Sequence, residues 1–459
     1  MAGIGFALRK LVKNGDLIGI AKGYGYAAII SAGPWLFTIL SLAGIYLWNK
    51  DTVPLPELRT FQVIITYNFS LSLVLSGAVV LVATRYLADC IYSKSQHKAP
   101  GLMLVCLGLV YGLGLLVALP FYGYVVDVEL PVRVAAMANF FLVAGIWVVS
   151  LFLSALKDYR TITTIFGVGM AISFLAGALL APEYGAAGML VGYSLGLLLI
   201  KFTIIARIFS EYSYQVRWPG EFLNYFGRYW ELALGGLLFA VAIWVDKWVM
   251  WFAPEHQVVA GSMAFNQHYD VAMFLACLTV IPAMAMFTVS GETGLFERLR
   301  AFFHDIQEHA TYARIVDRQQ SIVLHTLMMF RNLILLQLVL SVFAVFFAPQ
   351  IIGLVNGDYM YLGMFRLGVL GAFFFMLTLI VSVVLSYLDR RRANLALQSL
   401  FLVLNGTLTY LSMQLGFSYY GLGYFVASLV TFIVGYTVLM SALKDLPYLV
   451  FVKNNTSIG

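Results

Sequence analysis

The sequence predicts an all-α polytopic membrane protein with twelve transmembrane helices arranged as two six-helix bundles. Three observations predict it. Hydrophobic residues make up 61% of the 459-residue chain and charged residues only 11%, where a soluble domain carries about 25% charge. Apolar runs recur along nearly the whole chain, each near the roughly 20 residues needed to cross a hydrocarbon core of about 30 Å. The short connections between them sort their basic residues by side.

The spans fall near 24–48, 61–88, 100–123, 132–156, 161–181, 186–206, 229–252, 269–290, 325–348, 363–388, 394–415 and 420–443. With the amino terminus in the cytoplasm, 23 of the 28 Lys and Arg residues lie in inside segments. Only Lys50, Arg59 and Arg133 lie outside, and Lys247 and Arg366 fall within or near spans. That asymmetry is the positive-inside pattern, and an even number of spans puts both termini in the cytoplasm. The net charge of +6 then reflects topology and anionic headgroups, not nucleic-acid binding. Residues 1–20 mix apolar and basic groups and are expected to form an interfacial helix; the apolar run that follows is too long for a signal-peptide core.

A repeat runs through the chain at an offset of about 230 residues. The third and ninth spans end in Ala118-Leu119-Pro120 and Ala348-Pro349, the fourth and tenth in Ser154-Ala155-Leu156-Lys157-Asp158 and Ser386-Tyr387-Leu388-Asp389-Arg390. The turns closing the fifth and eleventh spans read Tyr184-Gly185-Ala186-Ala187-Gly188 and Tyr420-Gly421-Leu422-Gly423, with glycines where a reversal calls for positive φ. The expected organisation is an amino-terminal lobe at 1–206, a cytoplasmic linker at 207–228 and a carboxy-terminal lobe at 229–459. Two like-oriented six-span halves point to a transporter built from parallel repeats, with its substrate site near the midplane. The one long loop, 291–324, carries Leu295, Leu299, Phe303, Ile306 and Ala310 on one expected helical face and is read as an amphipathic cytoplasmic helix.

Candidate functional residues are those that membrane physics makes costly. Pro34 interrupts the first span and Pro282 the eighth; each removes a backbone donor and should kink its helix, so both are candidate gates. Charges at bilayer depth cost about 2.5–3.5 kcal/mol on insertion scales and face protein or water. Asp246 and Lys247 stand in the seventh span. Neighbouring side chains point about 100° apart, so the two are not expected to pair. Lys247 shares a stripe with Trp244, Trp248 and Trp251 and is expected to snorkel, while Asp246 should face a cavity or an ion pair. Arg85, Asp270 and Arg366 lie near span ends and read as interface anchors. Asn68, Gln337, Gln398, Asn405 and Gln414 are expected to bind helices together.

No GxxxxGK[ST], HExxH or GxSxG motif occurs, the six histidines are scattered, and the three cysteines show no CxxC spacing. Neither an enzyme, a metal site nor a cofactor is expected. Abundant aromatics and amides with few carboxylates in spans suit an uncharged, hydroxyl-rich solute.

The opening MAGIGFALRKL, YGYAAIISAGPW at 24–35, TRYLADCIY at 84–92, SALKDYR at 154–160, WVDKWVM at 244–250 and DVAMFLACLTVIPAMAMF at 270–287 resemble the Pel exopolysaccharide transporter family over essentially the full length. That family belongs with the multidrug/oligosaccharidyl-lipid/polysaccharide exporters. The resemblance implies two six-helix bundles in a V around a central cavity. It also implies a bacterial inner-membrane exporter that passes a galactosamine-rich biofilm polymer from a cytoplasmic glycosyltransferase to the periplasm, with membrane scaffold proteins as partners. The other readings are a lipid-linked oligosaccharide flippase, a proton- or sodium-coupled drug antiporter, and a non-transporting scaffold for a synthase. An antiporter would want a carboxylate deep in the amino-terminal lobe, and Asp127, Asp158 and Glu183 all sit at span ends.

Overall fold

The computed structural model describes residues 17–156, 159–212, 216, 218–354 and 359–453; the interfacial helix expected at 1–20 lies outside them except for its last four residues. Ten helical segments among the described residues are long and apolar enough to cross a membrane. One of them, Thr161–Tyr212, is long enough for two spans, and Leu17–Asn49 is not among the ten, which leaves room for the twelve expected. The described residues form two compact units: Ala32–Gln267, and those from His268 onward together with those before Ala32.

The first unit comprises most of α1 (Leu17–Asn49), then α2 (Leu55–Tyr92), α3 (Ala99–Pro120), α4 (Leu130–Leu156), α5 (Tyr159–Tyr212), the short α6 (Phe222–Arg228) and α7 (Trp230–Met250). Helix α2 is its centre, packing on α3, α4, α5, α6 and α7. Its residues Phe61, Ile64, Val79 and Val82 are buried, and its serines and Gly77 let neighbouring backbones come close. A Cβ at Gly77 would stand 2.6 Å from the Gly236 carbonyl oxygen of α7, and a Cβ at Gly236 would collide with the Gly77 carbonyl. No larger residue fits either position at this crossing.

Polar groups inside the unit pair with one another. The Tyr122 hydroxyl donates to Asn68 Oδ1 at 2.6 Å. Asn68 Nδ2 donates to the Ala136 carbonyl and to Asn139 Oδ1, both at 3.0 Å, and Asn139 Nδ2 donates to Ser194 at 3.0 Å. Asn68 thus ties α2 to α4 and to the turn after α3, as its position in a span predicts. Helix α5 breaks at Gly185, with φ 54° and ψ −132°, and Gly421 has φ 94°. Both repeat turns adopt the positive φ their glycines suggest.

One element departs from the all-helical expectation. Strands β1 (Gln257–Val259) and β2 (Met263–Phe265) pair antiparallel, with Val258 opposite Ala264. The hairpin turns at Ala260 and Gly261, both with positive φ. It docks on the first unit through Asp127 N–H to Ala260 O (3.0 Å), Ser262 Oγ to Val125 O (2.5 Å) and Tyr67 hydroxyl to Ala264 O (2.8 Å). The signal was a β-branched pair followed by Ala-Gly-Ser, too short to stand out between two spans.

The second unit contains α8 (Gln267–Leu278), α9 (Ile281–Met286), α10 (Glu292–Gln307), α11 (Tyr312–Phe346), α12 (Ala348–Leu354), α13 (Tyr361–Tyr387), α14 (Arg391–Leu415) and α15 (Leu422–Lys444). Helix α13 is the most enclosed; Phe365, Met376, Leu377, Ile380 and Val381 are fully buried. Gln398 Nε2 donates to Ser382 at 3.0 Å and Thr409 donates to Asn405 Oδ1 at 3.3 Å. Gln414 departs from its expected bundling role, because it is exposed.

The eighth span is more interrupted than one proline predicts. It runs as α8, a turn at Thr279–Val280, α9, a wide turn at Phe287–Gly291 and then α10. Pro282 sits in the first turn of α9, where a missing N–H costs nothing, so it begins a helix instead of kinking one.

Helix α10 is the expected amphipathic helix, but its buried face is Leu295, Leu299 and Phe302, packed with Ile315 and Ile322 of α11. Phe303 is 39% exposed. The reason is helical phase: position 302 lies about 20° from 295 around the axis, position 303 about 80°. Asp305 closes the α10–α11 pair by accepting from Arg318 Nε at 2.8 Å and from Arg314 at 2.9 and 3.1 Å. The Arg318 hydrogen bond, opposed by partial desolvation and helped by Arg314, holds the Asp305 carboxyl below the usual carboxylate range.

A carboxyl held low in the folded state stabilises above the unfolded value, near 3.9, and that contribution fades as pH falls through the lower folded value. Protection of the amides across residues 292–322, taken relative to the intrinsic exchange rate at each pH, should therefore hold from neutral pH to about pH 4 and fall below it. Asp305→Asn should show the faster exchange already at pH 7, as read by hydrogen–deuterium exchange.

Candidate functional site

The charged pair in α7 contains the most enclosed carboxylate among the described residues of the first unit. Asp246 is completely buried. Lys247 Nζ lies 3.0 Å from Asp246 Oδ2 and 3.2 Å from Oδ1, and donates to the Ile243 carbonyl at 3.3 Å. The two adjacent residues do pair, against the expectation drawn from their 100° separation. The four-carbon stem of lysine bends across the helix face, and the buried carboxylate gives it reason to. Lys247 does not snorkel past the helix end; its ammonium turns back toward the preceding turn. It also stands 6.0 Å from the Trp244 ring.

The tryptophan stripe is not a simple interfacial belt either. Trp251 is 3% exposed and stacks on Tyr67 at 4.5 Å, which stacks in turn on Phe121 at 5.5 Å. Sequence reading missed this three-ring stack, because its members come from α2, α7 and the turn after α3. Asn266 Nδ2 closes the end of α7 by donating to the Met250 carbonyl at 3.1 Å.

Arg85 serves a different end of the unit. Its Nε stands 3.5 Å from Asp89, and its guanidinium lies 5.4 Å from the Tyr229 ring centroid. The Tyr225 hydroxyl donates to Asp89 at 3.3 Å, and Tyr86 meets Phe222 and Tyr225 edge-on at 5.5 and 4.8 Å. Together these side chains tether α6 to the end of α2. Tyr229 and Asp246 are about 25 Å apart along the axis of α7, so Arg85 and the Asp246–Lys247 pair form no common site.

Pro34 lies inside α1, which continues through it; the Thr38 hydroxyl donates to the Pro34 carbonyl at 2.8 Å. Asp270 occupies the first turn of α8, where the helix dipole favours a carboxylate. Arg366 is exposed on the second turn of α13. Asp246, Lys247 and Trp244 meet, while Arg85 and Pro34 stand elsewhere in the first unit and Pro282, Asp270 and Arg366 belong to the second.

Two features were not legible as sites. A cavity of about 520 Å³ in the first unit is lined by Thr52, Glu57, Thr60, Glu129, Glu183 and Tyr184. Glu57 Oε2 accepts the Ala186 N–H at 2.8 Å, capping the half of α5 that restarts after Gly185. The carboxylates come from the start of α2, the residue before α4 and the bend in α5, so no spacing reveals them. In the second unit, Gln337 is completely buried on α11 and donates to the Thr279 carbonyl at 3.4 Å, at the break in the eighth span, and to Ser341 at 3.3 Å. No group of three His, Cys, Asp or Glu side chains among the described residues could hold a metal ion.

Pairing changes what substitutions at 246 and 247 should do. Lys247→Gln strips a buried carboxylate of its ion partner, and breaking such a pair costs about 3–5 kcal/mol when it is well buried. It should lower the melting temperature of purified protein at least as much as Asp246→Asn. The double variant should be less harmful than the two effects added, and equal, additive losses would show that the pair does not couple.

In the solved structures the fold has clear counterparts. The chain is similar to a MATE protein in its straight conformation, with a TM-score of 0.64 and 15% identity over 92% of this chain and 96% of that one. It is similar to an outward-facing multidrug resistance MATE family transporter of the MOP superfamily at TM-score 0.63 and 16% identity, over 91% and 96%. A MOP superfamily transporter from Pyrococcus furiosus Vc1, reported with a binding pocket of reverse polarity suggesting a different function, aligns at 0.62 and 16%, over 91% and 96%. At such identities the likeness is one of fold. No curated protein sequence matches the chain. The chain belongs to the PelG family of putative exopolysaccharide exporters (EPS-E), whose sequence profile it matches over residues 1–451.

Proposed function

We propose that this chain exports a galactosamine-rich exopolysaccharide across the bacterial inner membrane, receiving it from a cytoplasmic glycosyltransferase and working beside membrane scaffold proteins of the same complex. The observation that carries the reading is the family match across nearly the whole chain on a MATE-type transporter fold. The first-unit cavity offers hydrogen-bond acceptors, groups suited to a hydroxyl-rich solute. The chain performs no chemistry of its own in this reading, and polymer synthesis at the cytoplasmic mouth supplies much of the motion.

Relatives of this fold are seen straight and bent, and outward- and inward-facing. We place gating in this chain at Pro34 of α1 and at the interrupted eighth span around Pro282. The duplicated halves at 1–206 and 229–459 are the evolutionary units of this reading, and both termini lie in the cytoplasm.

Deleting the gene should leave glycosyltransferase activity intact in membrane extracts but remove polymer from the periplasm and medium. Normal secretion by the deletion strain would refute the export role. For orientation, Leu55→Cys should react with a membrane-impermeant maleimide in intact cells, and Gln307→Cys should react only after the membrane is opened. The reverse pattern would invert the topology.

A further inference from the structure

The first-unit cavity carries charge of one sign only. It lies at the end of the bundle where three connections meet. Thr52 follows α1, Glu57 and Thr60 open α2, Glu129 precedes α4, and Glu183 and Tyr184 stand at the bend of α5. Glu57 is about 42 Å from Arg85 along the axis of α2, so the cavity and the Arg85–Asp89 cluster occupy opposite ends of the unit. In the orientation proposed above, the cavity end is the periplasmic one. Its volume of about 520 Å³ is within the range of roughly 300–1,000 Å³ that ligand pockets occupy.

The lining accepts hydrogen bonds far more than it gives them. The Thr52 hydroxyl donates to the Asn49 carbonyl at 3.3 Å and the Thr60 hydroxyl to the Pro56 carbonyl at 2.9 Å. Each has used its one proton and keeps only lone pairs. The Ala186 N–H is taken by Glu57 at 2.8 Å. Ionised carboxylates only accept, and Glu129 and Glu183 are exposed and open to a ligand. Tyr184, 57% exposed, adds a ring face and a hydroxyl.

No lysine or arginine among the described residues lines this cavity or pairs with any of its three carboxylates. Arg133, the nearest cation in sequence to Glu129, donates instead to the Val128 carbonyl at 3.3 Å. A negative, acceptor-rich cavity selects a ligand that is positive and rich in donors. On a sugar ring, a free amino group makes the difference. As an ammonium it has three donors and no acceptor, and its hydrogen bonds to carboxylates are about twice as strong as neutral ones. Acetylation removes the charge, leaves one N–H and adds a carbonyl oxygen, which carboxylate lone pairs repel. Ring hydroxyls donate to the remaining acceptors in either form.

We infer that this cavity is a binding site for sugar units that carry a free ammonium group, held by Glu129 and Glu183 while Glu57 keeps the bend of α5 in place. This rests on the export reading and specifies the form of sugar held at the outer end. The test is equilibrium binding of labelled galactosamine oligosaccharides, and of the same oligosaccharides after N-acetylation, to the purified full-length chain in lipid nanodiscs at about pH 6.5, where glutamates are ionised. The wild type should bind the amino form at least about tenfold more tightly at about 0.1 M salt. The margin should shrink at about 1 M salt, where the screening length falls to about 3 Å. The double variant Glu129→Gln with Glu183→Gln, which leaves the Glu57 cap untouched, should bring the two affinities within about threefold. Aspartate at both positions should keep a preference for the amino form.

Equal binding of the two forms by the wild type, or tighter binding of the acetylated one, would overturn the inference. So would a tenfold preference that survives in the monodisperse double glutamine variant. A wild type that binds neither form also overturns it, and the export reading still stands if the deletion strain fails to secrete polymer. Normal secretion by that strain would remove the export reading and this inference with it.

Discussion

A membrane helix cannot be interrupted without an internal partner for the backbone groups that the interruption frees, because lipid offers none. Much of the polar chemistry in this chain answers that constraint. Where α5 breaks at Gly185, Glu57 from the start of α2 accepts the Ala186 N–H. Where the eighth span breaks after α8, Gln337 from α11 donates to the Thr279 carbonyl. Where α7 ends, Asn266 donates to the Met250 carbonyl. In each case a polar side chain from outside the broken helix does what water does for a soluble protein. Each such side chain is therefore fixed in place by a backbone feature of another element, and this couples the irregular segments to the helices around them.

The same constraint sorts the charges. Asp246 is buried with Lys247 folded back onto it, a pair whose members share the cost of desolvation. Arg85 is offset by Asp89 and spreads over Tyr229 at the end of α2, where half-exposure keeps its cost small. Asp305 is met by two arginines away from the spans.

Composition and hydropathy made the helical membrane architecture legible, because a lipid solvent imposes one rule on every span and span after span repeats it. Turn glycines at 185 and 421 were legible for a similarly local reason: a tight reversal wants positive φ wherever it occurs. The α10 face was legible except at Phe302 and Phe303, where a reading by steps of four drifts off the true 3.6-residue phase. What composition could not show were contacts made at long sequence separation. The Tyr67–Trp251 stack spans two helices far apart in the chain, and the Glu57 cap reaches the middle of α5. The Asp246–Lys247 pair was misread for the opposite reason. The geometry of Cβ directions was right, but the reach of a lysine stem exceeds it.

The family match and the fold together narrow what a site in this chain must do. A drug-sized solute could be enclosed by one pocket, whereas a polymer must be held weakly at many points and released at each. The described interior suits the second task. Its aromatic faces, amides and acceptor-lined cavity are dispersed over the first unit, with no single dense constellation. Such a surface gives modest affinity at each position, which a moving chain requires, since tight binding at one point would stall it. Selectivity then cannot come from one deep pocket. It has to come from features that act on each repeating unit as it passes.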